Sequence, residues 1–231
     1  MFSCSDWNST LGFLMVERTD KANLAAALQA DDASVRLKAA MAAGLKPEIS
    51  LLDLLVERCS LEPDFGVREQ LTWSLIRFPK ELIVPKLISE VSSSSNQARS
   101  QALHSLSKIE GADAWNVITK DLLEDSCDEV AQAAWRAAVT LVPPGKKGGL
   151  AKDLGALLGR GGRELQRSLS ISLAALGESA VRPVLKKALA SSDKAVRNHA
   201  LFTKEVLADS DAGSEFAVDQ VKILLAPRPK D

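Results

Sequence analysis

The chain has 231 residues, of which 46% are apolar and only 4% aromatic, with no tyrosine. This composition, rich in Ala, Leu and Val, is typical of closely packed helices and excludes an aromatic platform for stacking nucleic-acid bases. The formal net charge of −1 excludes a protein whose whole surface is built to bind polyanions, although a local basic groove is compatible with it.

Cysteine and histidine are sparse. The three cysteines, Cys4, Cys59 and Cys127, are too few and too scattered for a disulfide framework, and no pair has the spacing of metal ligands. We therefore expect reduced thiols and a cytoplasmic protein. Neither His104 nor His199 has a second His or Cys at helical spacing, so the sequence predicts no metal site and no cofactor.

Residues 1–20 precede the regular pattern. The apolar run at 11–16 has no cationic region before it and no cleavage site after it, so a signal peptide is not predicted, and it is too short to span a membrane. We expect an N-terminal extension or a misassigned start, with Met15 as the initiator in the second case. The alternative is a tail that anchors the protein through Trp7, Phe13 and Leu14.

Alternating helices are predicted from residue 21 onward. The stretches ANLAAALQA and DDASVRLKAAMAAGL form the first pair, which Pro47 ends. A second pair consists of EISLLDLLVERCS and a helix that starts at Asp64 and stops before Pro79. The next helix, KELIVPKLISEV, contains Pro85, which we expect near a helix start or at a kink. The serine run at 92–96 predicts a turn and a helix N-cap.

The second half of the chain continues in the same way. NQARSQALHSLSKIEG and ADAWNVITKDLLEDS are predicted helices, with Trp115 packed on the side of the first helices. CDEVAQAAWRAAVTLV is followed by PPGKKGG at 143–149, which predicts a flexible joint and not a domain boundary. GRELQRSLSISLAALG, SAVRPVLKKALASS and DKAVRNHALFTKEVL complete the regular part. A loop, a closing helix EFAVDQVKILL and a loose tail at 226–231 follow.

One pattern recurs at intervals of 31 to 35 residues. It is built around an anchor residue, at Val35, Val67, Ala98, Val130, Leu165 and Val196. Asp stands three residues before the anchor at Asp32, Asp64 and Asp193, and Arg directly after it at Arg36, Arg68, Arg99 and Arg197. Such a period predicts stacked helical hairpins, because each hairpin buries its apolar face only against its neighbours.

The helical phase predicts which side of each second helix is buried. At about 100° per residue, positions 0, +4, +7, +8 and +11 from the anchor share one side, and positions +2, +6 and +9 lie on the other. Position +4 is apolar or small and position +7 is small, so we expect both rows to be buried. They are Ala39, Leu71, Ala102, Ala134, Leu169 and Ala200, and Ala42, Ser74, Ser105, Ala137, Ser172 and Thr203.

The Asp and Val-Arg pattern resembles that of HEAT repeats over about residues 22 to 225, and it is most similar to small bacterial HEAT proteins with phycobilisome-lyase-type repeats. The resemblance implies an all-α fold: an α-solenoid of about six hairpins at 21–225, in a right-handed superhelix whose second helices line the concave side. Two repeats depart from the pattern, with Ala131 and Gln166 in place of Arg and with Cys127 and Gly162 in place of Asp. An Asp–Arg ladder between repeats would be interrupted there.

The predicted exposed side of the second helices is the place to look for a binding site. Position +6 holds Trp73, His104 and Arg136 in the central repeats, and at about 10 Å between helices these would form a row about 20 Å long. The flanking residues of this predicted groove are Gln70, Arg77, Gln101, Lys108, Trp135 and Arg167. A solvated helix face would carry similar residues, but Trp73 has no evident stabilising reason to stand outside the core.

We therefore predict a non-enzymatic scaffold or adaptor, monomeric by default, that binds a protein partner through this groove and does not enter a membrane. The alternative is a nucleic-acid-binding protein of the DNA glycosylase type, in which Glu69 near Trp73 would be the carboxylate. The predicted groove carries four cations and one carboxylate, Glu69, which is enough positive charge to attract an anion. The cations, which are Arg77, Lys108, Arg136 and Arg167, are nevertheless fewer than a dedicated duplex binder carries. No Ser/His/Asp or Cys/His arrangement is indicated.

Overall fold

A computed structural model describes residues 22–109 and 114–208, and within these ranges the chain is all-helical, without a strand. Residues 22–27 are helical and lead into the first complete helix. The α-helices are α1 (Ala33–Leu45), α2 (Leu52–Leu61), α3 (Phe65–Leu75), α4 (Lys80–Glu90), α5 (Asn96–Lys108), α6 (Lys120–Leu123), α7 (Asp128–Leu141), α8 (Lys147–Gly155), α9 (Arg163–Ala175), α10 (Glu178–Leu189) and α11 (Lys194–Ala208).

The chain forms two compact units that meet in sequence within α4, after Ile83. In the first unit α3 packs against both α1 and α2. In the second unit α7 lies against α5 and α9, and α11 lies against α9 and α10. Within each unit, the second helix of each repeat therefore packs against the second helix of the following repeat, as the period predicts. The all-helical class is confirmed, whereas the six-repeat solenoid and its handedness stay predictions.

Helix starts follow the repeated Asp. The Asp32 side chain accepts a hydrogen bond from the Ser34 N–H at 2.7 Å, and hydrogen bonds from the Ser34 side chain and from its backbone lower the pKa of Asp32. Asp64 accepts from the Val67 N–H at 2.9 Å in the same way. These carboxylates satisfy helix N–H groups that have no partner inside the helix. The serine run also behaves as predicted, because Ser95 is the N-cap of α5.

The repeated Arg holds the loop that precedes its own helix. In the first repeat, Arg36 Nη1 donates to the carbonyls of Ala30 and Asp31, at 2.8 and 2.7 Å. The other members of the series bind carbonyls five or six residues earlier: Arg68 those of Glu62 and Pro63, Arg99 that of Ser93, and Arg197 those of Ser191 and Ser192. We call this arrangement the loop clamp. The Val-Arg signature is thus explained by contacts between residues five or six positions apart.

The buried rows are largely as predicted. All six residues at position +4 are buried, and so are the residues at position +7 from the second repeat onward. The prediction is wrong for Val35, which is 38% exposed, and for Ala42, which is also exposed. In α3 the equivalent of Ala42 is Ser74, whose Oγ donates to the Ala40 carbonyl of the preceding second helix at 2.6 Å. No described helix fills that side of α1.

Two predicted elements between the repeats differ from the structure. The helix expected around Trp115 is reduced to a 3₁₀ turn, Trp115–Val117, and the short α6. The loop expected at 143–149 is wrong in its second half, because α8 begins at Lys147 and includes Gly148 and Gly149 of that stretch. A 3₁₀ turn at Pro144–Lys146 leads directly into that helix, with proline at its start where no N–H is needed.

Several predicted segments lie outside the described residues. They are the N-terminal extension at 1–20, the closing helix EFAVDQVKILL and the tail at 226–231. In the part of the chain that the structure describes, no helix is both long enough and apolar enough to cross a membrane.

Candidate interaction surface

The predicted groove residues are divided between the two units. Gln70, Trp73 and Arg77 belong to the first unit, on or just after α3, and all three are half-buried. The second unit holds Gln101, His104 and Lys108 on α5, Trp135 and Arg136 on α7, and Arg167 on α9. Because Trp73 and the other two members of the row stand in different units, a continuous surface through Trp73, His104 and Arg136 stays a prediction.

Trp73 has a structural reason for its position. A Cβ atom added to Gly44 would lie 2.3 Å from Cζ3 of the Trp73 ring, so the indole packs directly on the α1 backbone. The Arg77 guanidinium lies over the ring, with its carbon 4.4 Å from the centroid. The sequence-based argument that nothing stabilises Trp73 outside the core is therefore wrong. Gly44, which leaves the space for the ring, was the signal that could have revealed this contact.

Trp135 is a second correction. Its side chain is fully buried, and its Nε1 donates to the Leu123 carbonyl at 2.8 Å. Position +5 lies at the edge of the buried arc of α7, and the short α6 packs against this helix and supplies the acceptor. Trp135 therefore contributes to the core and not to an exposed groove.

The two arginines on α7 and α9 remain at the surface. Arg136 and Arg167 are both exposed, on helices that pack against each other. On α5, the helix on the other side of α7, Gln101, His104 and Lys108 are half-buried. Within the second unit, the structure thus leaves two cations exposed on neighbouring second helices, opposite their buried rows.

The exposed charges near these arginines are mixed in sign. Asp128 and Glu129 begin α7, and Glu164 follows Arg163 at the start of α9. Asp128 itself is paired with Arg160 at 3.2 Å. Acidic and basic side chains in alternation favour recognition of a partner that carries both signs, because a pure polyanion would meet repulsion from the carboxylates.

The sequence did not predict a buried polar network around His199. This side chain is 1% exposed; its Nδ1 accepts from the Gly159 N–H at 2.9 Å, so its Nε2 carries the proton and donates to the Gln166 carbonyl at 2.9 Å. Burial lowers the pKa of His199 and keeps the ring neutral. Ser170 Oγ lies 2.8 Å from Thr203 Oγ1 and 3.2 Å from the histidine Nε2. Together these contacts join α9 to α11.

A charged cluster occupies a comparable place in the first unit. Glu62 is fully buried and receives two 2.7 Å hydrogen bonds from Arg36, one from Nε and one from Nη2. Arg58 Nη2 and the Asp64 N–H add further bonds at 2.9 and 3.0 Å. Burial alone would raise the pKa of Glu62, but these donors together lower it to about 2. The cluster joins the loop clamp of the first repeat to the loop of the second.

Three kinds of group that catalysis could use in the described residues are a cluster of metal ligands, a reactive thiol and the Glu69 carboxylate. In residues 22–109 and 114–208, no three His, Cys, Asp or Glu side chains are grouped as metal ligands would be. Burial raises the pKa of the Cys59 thiol to about 12, so it is protonated at neutral pH. Glu69, the carboxylate of the glycosylase alternative, is exposed on α3. An exposed carboxylate lacks the water-excluded setting in which such a group stabilises a charged transition state strongly.

Comparison with known proteins leaves the family open, because neither a family model nor a curated protein matches this sequence.

Proposed function

We propose that this chain is a non-enzymatic, cytoplasmic scaffold of HEAT-like hairpins that binds a protein partner through the exposed side of its central second helices. The observation that carries the proposal is the pair Arg136 and Arg167, exposed on the neighbouring helices α7 and α9. Arginine at the centre of an interface is a frequent source of binding energy, since its planar fork binds carboxylates at two points.

The HEAT-like part of the proposal is supported by local geometry. The repeated Asp caps helix starts, and the repeated Arg forms the loop clamp, so both signature residues have a defined role in a hairpin unit. Second helices that pack in series within each unit are what a stack of hairpins requires.

A protein is favoured over a nucleic acid by the charges around the arginines. Asp128, Glu129 and Glu164 are exposed on the same two helices, and the formal net charge of the whole chain is −1. Phosphate-backbone binding relies on several cations that each release a counterion. A peptide or helix that carries both signs, with carboxylates placed to meet the two arginines, fits the mixed pattern better.

The test is affinity capture from the source cell with Arg136→Glu/Arg167→Glu against wild type. We expect wild type to capture a partner that the variant fails to capture, while circular dichroism shows that the fold of the variant is unchanged. The matched control is Lys186→Glu/Lys187→Glu, which reverses two exposed charges on α10. Loss of the partner from both variants would show that net charge, and not this surface, governs binding.

The nucleic-acid alternative is tested with the same proteins. Mixed-sequence DNA and RNA would be titrated over a range of salt concentrations, because phosphate contacts give a log affinity that falls steeply with log salt. Salt-dependent binding that weakens in Arg136→Glu/Arg167→Glu would replace the protein-scaffold proposal. Release of a base from alkylated DNA would identify glycosylase activity.

A further inference from the structure

Two contacts fix how α9 and α11 lie beside each other. His199 of α11 binds the Gln166 carbonyl of α9, and Thr203 Oγ1 of α11 lies 2.8 Å from Ser170 Oγ of α9. The two members of each pair are 33 residues apart in the sequence. A constant separation means that the helices run parallel, so each residue of α9 lies at the height of the residue 33 positions later. We call the line of contact through these four residues the α9–α11 seam.

Arg167 and Phe202 flank this seam on the same side. Arg167 is one residue after the first seam residue of α9 and three before the second, so it lies about 60 to 100° around α9 from the side that faces α11. Phe202 is three residues after the first seam residue of α11 and one before the second, which gives the same angle in the opposite sense. Opposite rotations on two facing helices bring both residues to one side of the seam. Both are exposed, Phe202 by 38%.

The two side chains also stand at nearly the same height. The residue of α9 level with Phe202 is Leu169, two positions after Arg167, so the two flanking Cα atoms are offset by about 3 Å along the helix axis. Successive residues of an extended peptide are about 3.3 Å apart and point to opposite sides. An extended segment that lies along the seam would therefore direct one side chain towards Arg167 and the next towards Phe202.

We propose, on the basis of the function proposed above, that the α9–α11 seam binds an extended segment of the partner in which an acidic residue and a large apolar residue are neighbours. The Arg167 guanidinium pairs with the carboxylate. The Phe202 ring covers the apolar side chain and removes it from water. The seam thus specifies a short sequence pattern in the partner, and not its charge alone.

The bottom of the seam is suited to this occupant. Ser170, His199 and Thr203 are buried, and the contacts among them hold α9 and α11 in register before any ligand arrives. Burial lowers the pKa of His199, so the ring is uncharged at neutral pH. A binding surface that is already ordered loses less conformational freedom when a ligand binds.

Exposed carboxylates next to the seam favour a peptide over a phosphate backbone. Glu164 lies one helical turn before Arg167, and Glu205 lies one turn after Phe202. A nucleic-acid strand carries a phosphate at every step and would be repelled by both. A peptide can place an uncharged or basic residue at these two points, so the charges around the seam complement a mixed sequence.

The experiment selects peptides from a random library displayed on phage, with the full chain as bait. On wild type we expect enriched sequences in which an acidic residue stands directly beside Leu, Ile, Met, Phe or Trp. On Phe202→Ala the acidic residue should remain and the apolar neighbour should be lost. On Arg167→Glu a basic residue should replace the acidic one. Circular dichroism shows that each variant is folded.

Leu201→Ala is the matched control. Leu201 is 51% exposed on the same helix, but it is two residues from each seam residue of α11 and so lies on the side opposite the seam. It should select the wild-type pattern. An enriched peptide is then synthesised and titrated by fluorescence anisotropy. Phe202→Ala should weaken its binding about tenfold or more, the effect of a lost apolar contact, and Leu201→Ala less than about twofold.

The other outcomes separate this inference from the proposed function. If wild type enriches no sequence that Arg136→Glu/Arg167→Glu fails to enrich, both are wrong. Acidic peptides that need the arginines but have no apolar neighbour, or that keep it on Phe202→Ala, would overturn the seam site and leave the proposed function standing. Equal weakening by Phe202→Ala and Leu201→Ala would show that the peptide binds elsewhere on α11.

Discussion

The two units use opposite chemistry to link consecutive repeats through a buried polar group. In the first unit the link is ionic, with Glu62 held by Arg36 and Arg58. In the second unit the fully buried link is neutral, with His199 held between the Gly159 N–H and the Gln166 carbonyl, while the ion pair equivalent to Arg36–Glu62, between Arg99 and Asp125 at 2.9 Å, is only half-buried. An ionic link depends on every partner being present, whereas a neutral histidine link depends on the ring staying unprotonated. The link in the first unit is therefore sensitive to the loss of one partner, and the link in the second unit is sensitive to acid.

The largest expected effect comes from breaking the ionic link. Arg36→Ala should lower the free energy of unfolding by about 3 to 5 kcal/mol, because it leaves the Glu62 carboxylate buried with too few donors. Urea unfolding followed by circular dichroism measures the change. The control is Arg99→Ala in the second unit, whose Asp125 partner is half-buried, with 15% of its side chain exposed, and which should lose less, about 1 to 2 kcal/mol. Equal losses would remove the distinction between fully buried and half-buried ionic links.

A smaller loss is expected where backbones approach closely. Gly44→Ala should cost about 1 to 3 kcal/mol, because its new Cβ would overlap the Trp73 ring and the Ser74 hydroxyl. Gly148→Ala is the control, because this glycine lies in α8 with nothing near its new Cβ. Its free energy of unfolding should rise by up to about 1 kcal/mol, since Ala has a higher helix propensity than Gly. If Gly44→Ala behaved like Gly148→Ala in urea unfolding, the Trp73 contact would contribute little to stability.

The neutral link predicts a stability that falls with mild acid. The pKa of His199 is lowered in the folded state from its ordinary value of 6.5. When the pH falls below 6.5, the unfolded chain therefore binds a proton that the folded chain does not bind. Stability should be full above pH 6.5 and fall by at most about 1.4 kcal/mol per pH unit below it. His199→Gln should lose this slope between pH 7 and pH 5, whatever its stability at pH 7. An unchanged slope would show that another group titrates.

The ionic link responds in a lower window, which sharpens the comparison. Glu62 has a folded pKa of about 2 against an ordinary value of 4.5, so its contribution is full above pH 4.5 and declines as the pH falls towards 2. The free energy of unfolding of the wild type should therefore fall in two pH ranges, one below pH 6.5 and one below pH 4.5. In the His199→Gln variant, only the fall below pH 4.5 should remain.

The smallest effect is expected at the proposed binding surface. Arg136→Ala should change the free energy of unfolding by less than about 0.5 kcal/mol, because the side chain is exposed and its removal opens no cavity. Partner capture should fall even so. Thermal unfolding measures the first and affinity capture the second. A large loss of stability would show that Arg136 holds the repeats together.

Helix phase was predictable from the sequence, because position +4 follows from the period alone and is buried in every repeat. The exposure of residues at the edges of the buried side was not predictable from the sequence. Trp135 is buried because α6 lies beside it, and Val35 is open because no second helix is described before α1, so both depend on neighbours that a single-helix pattern does not contain. Glu62 was overlooked for a similar reason: an acid beside a proline suggests a solvated loop, and its partner Arg36 lies 26 residues away.

The loop clamp also bears on the order in which the chain folds. Where Arg follows the anchor, each loop is closed by a residue at most six positions away, a contact that forms early because little chain entropy is lost. The fourth repeat has Ala131 in that place, and its Asp125 carbonyl is bound by Arg160, 35 residues along the chain. That carbonyl therefore gains its arginine only when the following hairpin has folded, although the Asp125 side chain already accepts from Arg99 of the preceding repeat and from the Cys127 N–H. The loop before α7 should therefore be completed later than the loops that have their own Arg.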